Sequence, residues 1–158
     1  MQYMENQIEI REDLIFLNCK FKDRDELLKF MSDKMMESDK VNKTFFDAVR
    51  ERELKYPTGL NTGEIKVAIP HTDPKHVKSA AIAVATLSNK VEFKNMEDPN
   101  ENIGVDLVFM LAVADPKSQV PLLVKLMSIF SDKELLKKIK NSKSGNEIKE
   151  ELENLIKE

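Results

Sequence analysis

The stretch Val105-Asp106-Leu107-Val108-Phe109-Met110-Leu111-Ala112-Val113-Ala114 decides the fold class, because it is apolar at every position except Asp106. A strand with one face in water would alternate polar and apolar residues, so an unbroken run reads as a strand covered on both faces. It is also far short of the ~20 residues needed to cross a membrane. Ala80–Leu87 has the same character, and Val91–Phe93 reads as a shorter strand between the two. An acidic, proline-containing loop at Glu97–Asn102 separates the long strands. Strands buried on both faces need helices on both sides. The chain is therefore read as α/β: a small, mixed β-sheet flanked by helices.

Upstream, Lys66-Val67-Ala68-Ile69-Pro70-His71-Thr72-Asp73-Pro74 closes a third apolar strand, Val67–Ile69, with a proline and then an imidazole. Proline lacks the N–H that would continue a ladder, which puts His71 at the strand's end rather than inside the sheet. Neutral imidazole is a good nucleophile, and a reference pKa of about 6.5 leaves much of it unprotonated at neutral pH. Such a group can take up a substituent and hand it on. A histidine at a strand end is also an ordinary hydrogen-bonded residue, and this fragment leaves both roles open. Before it, Tyr56-Pro57-Thr58-Gly59-Leu60-Asn61-Thr62-Gly63 is a loop by composition. Its small residues leave backbone N–H groups approachable by an anion, although the same composition suits a plain turn.

The other segments read as helices. Asp23 and Glu26 form a capping-box pattern ahead of Leu27, Leu28, Met31 and Met35, giving a helix to about Ser38 with its methionines filling the core. Asn42 is the expected cap of a second helix. Phe45, Phe46, Val49 and Leu54 form its apolar stripe, with Arg50, Glu51, Arg52 and Glu53 near its end. Arginines there also suit the helix dipole. After Asp115-Pro116, the residues Val120, Leu122, Leu123, Leu126, Met127, Ile129 and Phe130 are expected inside, with Pro121 in the first turn of their helix. Ser131 and Glu134 predict another capping box before Leu135, Leu136 and Ile139. Ile148, Leu152, Leu155 and Ile156 predict a closing helix that packs on the domain. Residues up to about Glu12 show no period and read as a loose lead-in of a single domain, 1–158.

Composition narrows the function classes. A chain of 158 residues, 41% hydrophobic, suffices for one core. Cys19 has no cysteine partner for a disulfide, and in Ile15-Phe16-Leu17-Asn18-Cys19 it reads as strand packing. With two histidines the chain lacks the clustered ligands of a zinc site, so no metal is expected. The net charge of −3 argues against general nucleic-acid binding. No signal peptide opens the sequence and no apolar run spans a membrane, so a cytoplasmic protein is expected.

Three separated segments then carry a resemblance: Arg50-Glu51-Arg52-Glu53 with Pro57-Thr58-Gly59; Val67-Ala68-Ile69-Pro70-His71; and Val105–Ala112 with Asp115-Pro116. Together they resemble the enzyme IIA component of the bacterial phosphoenolpyruvate-dependent sugar phosphotransferase system (PTS), in the fructose/mannitol superfamily. Pro70-His71-Thr72-Asp73, His76-Val77 and the Tyr56–Leu60 loop look most like its galactitol-type branch. The resemblance implies a phosphoryl carrier. His71 would accept phosphate from the phosphohistidine of HPr and pass it to a thiol of a IIB component. An arginine of the Arg–Glu segment would hold the phosphoryl group, Arg52 matching best and Arg50 being the alternative. The physics agrees, because phosphoryl transfer asks mainly for position and positive charge, and a guanidinium offers a planar fork to the oxygens.

Mannitol-type members carry a second histidine near the position held here by Gln119. Gln119 can donate a hydrogen bond to a phosphoryl oxygen but can carry no charge. His76 would supply the missing imidazole if Asp73-Pro74-Lys75 folds back; otherwise it faces solvent at the start of a short helix. Leu60, Val67, Ile69 and Met110 are candidates to wall the site. No organic cofactor is implied. The alternative is a regulatory module that signals its phosphorylation state to a non-transport protein, as nitrogen-type members of the superfamily do.

Overall fold

The two long apolar runs lie side by side at the centre of one five-stranded sheet. In the computed structural model, which describes residues 8–157, the strands are β1 (Glu9–Cys19), β2 (Gly59–Leu60), β3 (Val67–Ala68), β4 (Ala81–Lys94) and β5 (Asn102–Ala112). The helices are α1 (Arg24–Glu37), α2 (Phe45–Lys55), α3 (Pro116–Phe130), α4 (Lys133–Asn141) and α5 (Gly145–Lys157). The sheet order is β1-β4-β5-β3-β2. β1 runs parallel to β4 and β3 parallel to β5, whereas β4/β5 and β2/β3 are antiparallel, so the sheet is mixed.

Side chains alternate across a strand, and here each set meets a different helical layer. Ala81, Ala83 and Ala85 of β4 and Val108, Met110 and Ala112 of β5 join Leu27, Leu28, Met31, Met35, Phe45 and Val49 of α1 and α2. Ile82 and Val84, with Leu107, Phe109 and Leu111, join Leu126, Phe130, Leu136, Ile139, Ile148 and Leu152 of α3, α4 and α5. That division explains the unbroken runs: neither face of Ala81–Leu87 or of Val105–Ala112 meets water. The polar residue of the β5 run, Asp106, is buried and paired. Its carboxylate accepts the Lys66 N–H (3.0 Å) and the Lys90 ammonium (2.9 Å to each oxygen).

Several local expectations give way to tertiary context. The lead-in is shorter than expected, since β1 already begins at Glu9; residues 1–7 lie outside the described residues. Ala80–Leu87 and Val91–Phe93 are one strand, continuous through a register shift between Thr86 and Val91. Asp23 caps α1 by accepting the Glu26 N–H, but Glu26 reaches back to the N–H of Lys22 rather than Asp23. Thr44, not Asn42, precedes α2, and the Asn42 amide donates to the Lys75 carbonyl instead. Pro116 occupies the first turn of α3, and Pro121 lies inside the helix. Ser131 closes α3, while Asp132 caps α4 by accepting the Leu135 N–H (3.1 Å).

Burial departs from expectation in two helices. In α3, Val120 and Met127, expected inside, face outward as Val124 does, because Leu126, Ile129 and Phe130, with Leu122 and Leu123 partly buried beside them, take the sheet side. In α2, Leu54 is exposed and Glu53 takes the inner position. A Cβ at Gly59 would lie 2.6 Å from the Lys94 carbonyl oxygen, so this crossing of the loop over β4 requires glycine.

Candidate functional site

β3 and β5 are parallel and end at the same edge of the sheet, so the chain leaving β3 and the chain leaving β5 are neighbours there. The Leu111 N–H donates to the Pro70 carbonyl (3.0 Å), which pins the turn carrying His71 against the end of β5. From the same end Val113–Asp115 leads into the N-terminus of α3, where Gln119 sits half-buried in the opening turns. A helix N-terminus presents unpaired N–H groups and a partial positive charge.

His71 is only 7% exposed. Its Nδ1 lies 2.8 Å from the Ile69 carbonyl oxygen, and since a carbonyl only accepts, Nδ1 carries the proton. Nε2 of the neutral ring therefore holds the free lone pair. Burial pushes the imidazole below its ordinary pKa; the Ile69 bond opposes this, the nearby Arg52 charge adds to the lowering, and Asp73 opposes it. The ring is thus kept neutral.

The position of Ile69 is set by a series of hydrogen bonds that begins in α2. Glu53 accepts the Thr58 N–H at Oε2 (2.7 Å) and the Thr58 hydroxyl at Oε1 (2.8 Å). Ile69 N–H donates in turn to the Thr58 carbonyl (3.2 Å), and the Ile69 carbonyl holds His71. Burial pushes the Glu53 carboxyl above its ordinary pKa, against the two Thr58 bonds and the charges of Arg24 and Arg52.

The two candidate arginines part company. Arg50 points outward and pairs with Asp25 (3.0 Å). Arg52 is half-buried, its Nε is covered and has no hydrogen-bond partner, and its guanidinium carbon lies 5.3 Å from the centre of the Tyr56 ring. His76 ends a short 3₁₀ turn, Pro74–His76, and its Nδ1 bonds the Thr44 hydroxyl (2.9 Å) ahead of α2. That ring nitrogen is thus engaged by the segment ahead of α2. Leu60, Val67, Ile69 and Met110 are interior residues, so the expected walls of the site belong to the core. Among the described residues no cluster of three or more His, Cys, Asp or Glu is arranged to hold a metal, and no helix is long and apolar enough to cross a membrane.

The buried neutral ring carries a pH signature. Unfolded, His71 protonates near pH ~6.5; folded, it does so only at lower pH, so the unfolded state binds the extra proton in between. Stability is lost as the pH falls below about 6.5 and levels off below the folded pKa. Relative to a His71→Gln protein, the urea midpoint of the native chain is expected to drop between about pH 7 and pH 5. Parallel curves would contradict it. Glu53 titrates with the opposite sign but is common to both proteins.

Residues 9–155 match the family described as the phosphoenolpyruvate-dependent sugar phosphotransferase system, EIIA 2. The chain belongs to that family. It is 37% identical over 103 residues to the galactitol-specific EIIA component of Escherichia coli strain K12, across 65% of this chain and 68% of that protein. It is 30% identical over 115 residues to a nitrogen regulatory protein homolog of Haemophilus influenzae, across 70% of this chain and 66% of that one. Among solved structures, the E. coli complex of enzyme IIAMTL with phosphorylated enzyme IIBMTL matches with a TM-score of 0.73 at 21% identity, covering 92% of this chain and 99% of that chain. The last is a likeness of fold. The chain is thus an EIIA-type domain of a phosphotransferase system, with the mixed α/β architecture of its structural relatives.

In this EIIA domain, Glu53 and Thr58 escaped the sequence reading as members of the site. The signal was present: Phe45, Val49 and Glu53 follow at intervals of four, which places Glu53 on the inner face of α2. A carboxylate at such a phase needs buried donors, and Thr58 supplies them.

Proposed function

We propose that the chain is a phosphoryl-carrier IIA subunit, a single domain over residues 1–158 acting in the cytoplasm. His71 accepts the phosphoryl group of phospho-HPr and passes it to a cysteine of a IIB component during galactitol-like sugar transport. The observation that carries this reading is the Nδ1–H bond of His71 to Ile69, which leaves the Nε2 lone pair of a buried, neutral ring free beside Arg52. Similarity to the galactitol-specific EIIA component supports the sugar class.

In the accepting step the Nε2 lone pair forms the bond to phosphorus. The nitrogen–phosphorus bond of HPr breaks, and its electron pair returns to the HPr ring. Nδ1 keeps its proton, so the phosphorylated ring is cationic, and the Ile69 carbonyl stabilises that charge. A cationic ring is a good leaving group. In the donating step a IIB thiolate attacks phosphorus and Nε2 recovers its lone pair. Arg52 supplies charge and a planar fork to the phosphoryl oxygens, with Gln119 and the α3 N-terminus on the other flank. Arg50, occupied by Asp25, and His76, occupied by Thr44, stay outside the transfer.

Incubation with phosphoenolpyruvate, enzyme I and HPr is expected to add one acid-labile phosphate, and ¹⁵N and ³¹P NMR should find it on Nε2. Phosphate on Nδ1 would contradict the tautomer read from the Ile69 bond. Similarity to the nitrogen regulatory homolog favours the second reading, a regulatory module. A label that no IIB component accepts, with tight binding to a non-transport protein, would decide for it.

A further inference from the structure

Arg52 lies next to a buried carboxylate and is not paired with it. Glu53 is 1% exposed and feels the charges of both Arg24 and Arg52, yet forms an ion pair with neither. Both arginines have a covered Nε without a hydrogen-bond partner. A buried carboxylate beside two guanidinium groups would ordinarily take a bidentate bond from one of them. Two bonds from one residue beyond the end of α2, the Thr58 N–H on Oε2 and the Thr58 hydroxyl on Oε1, instead fix the orientation of the carboxylate toward that loop.

We propose that Thr58 is a positioning residue for phosphoryl transfer: by fixing the orientation of the Glu53 carboxylate toward the loop it keeps Glu53 from turning onto Arg52 and leaves the Arg52 guanidinium free for a phosphoryl group. The inference rests on the carrier reading of His71. A phosphoryl oxygen and a carboxylate compete for the same fork, so an arginine quenched by Glu53 would offer little to an incoming phosphoryl group. Keeping Glu53 engaged but close retains a compensating charge in the buried turn without blocking the donor. Tyr56, against the guanidinium, holds Arg52 in place from the exposed side.

Thr58→Val removes the hydroxyl while the backbone N–H still holds Oε2. The freed Oε1 is buried, and the donors near it are the two arginines; an unpaired buried acceptor is costly, so it turns to one of them. Phosphate uptake by His71 is expected to slow roughly tenfold, as for the loss of one charge-assisted contact. Adding Glu53→Gln should recover most of that loss, because an amide carries no charge with which to quench Arg52.

A second readout does not depend on phosphate. The Arg52 charge lowers the His71 pKa, so a Glu53–Arg52 pair cancels that influence. The His71 titration followed by imidazole NMR should rise in Thr58→Val and return in the double variant. If the native chain takes no phosphate, the carrier reading fails while the titration still decides the pairing. If the native chain labels but Thr58→Val leaves the titration unmoved, or Glu53→Gln brings no recovery, Thr58 only shapes the loop and the inference is overturned. Should Thr58→Val fail to fold, Thr58→Ala removes the same hydroxyl and is read by the same two measurements.

Discussion

A His71→Ala protein is expected to take up no phosphate from phospho-HPr while keeping its far-ultraviolet circular dichroism. The loss should be complete, because the other candidate nucleophiles are differently placed. His76 ends the Pro74–His76 turn, with its Nδ1 on Thr44 ahead of α2 rather than on the turn that leaves β3. The Cys19 thiol is half-buried in β1, and burial pushes its pKa up, away from the thiolate form that reacts. The substitution also strips the Ile69 carbonyl of its donor, which costs about 1–3 kcal/mol if no water replaces it. That is small against the stability of an ordinary domain. Full labelling of His71→Ala would transfer the role to another residue, His76 first. Retained labelling together with a lost fold is not an available outcome, so the gel and the spectrum decide the matter between them.

The second large effect is expected at Arg52. Arg52→Lys keeps the charge and removes the fork, and phosphate uptake should fall by about 10²-fold, the scale seen when one preorganised donor to a developing anion is lost. Arg50→Lys should stay within about twofold, because an exposed ion pair such as Arg50–Asp25 contributes little. Residues two apart on a helix point about 200° away from one another, so only one of the two can face the site. In α2 Arg52 is expected to be that residue, since its Nε is covered and its charge reaches His71, while Arg50 reaches out to Asp25. The opposite order of effects in a phosphorylation time course would hand the role to Arg50.

Much of the fold was legible because the evidence for it is local. The apolar runs of β4 and β5 announce strands covered on both faces, and the helical layers on the two sides supply the cover. Asp23 is legible as a cap because an aspartate before a helix has one nearby use. Pro70 stops β3, and the strand-end position of His71 follows from the ring's missing N–H. What failed was local evidence with two equally local answers. Asn42 and Thr44, or Ser131 and Asp132, are both competent caps, and the choice depended on where the chain had to turn. Val120, Val124 and Met127 of α3 are as apolar as their buried neighbours, and the direction of the helix over the sheet, not hydropathy, turns them outward.

For the site, the division is sharper. By itself the sequence determined that an imidazole ends a buried strand, that an arginine–glutamate run closes the helix before it, and that the chain resembles an EIIA domain. Each of these is carried by residue type and spacing. Only the tertiary structure decided which nitrogen of His71 is free, which arginine's charge reaches it, and which donors the buried Glu53 takes. Those answers rest on the Ile69 carbonyl, on the phase of α2 against the sheet, and on Thr58 brought back over the end of α2. The reason is physical: protonation, charge pairing and burial are set by groups distant in sequence, and such groups meet only when the chain has folded.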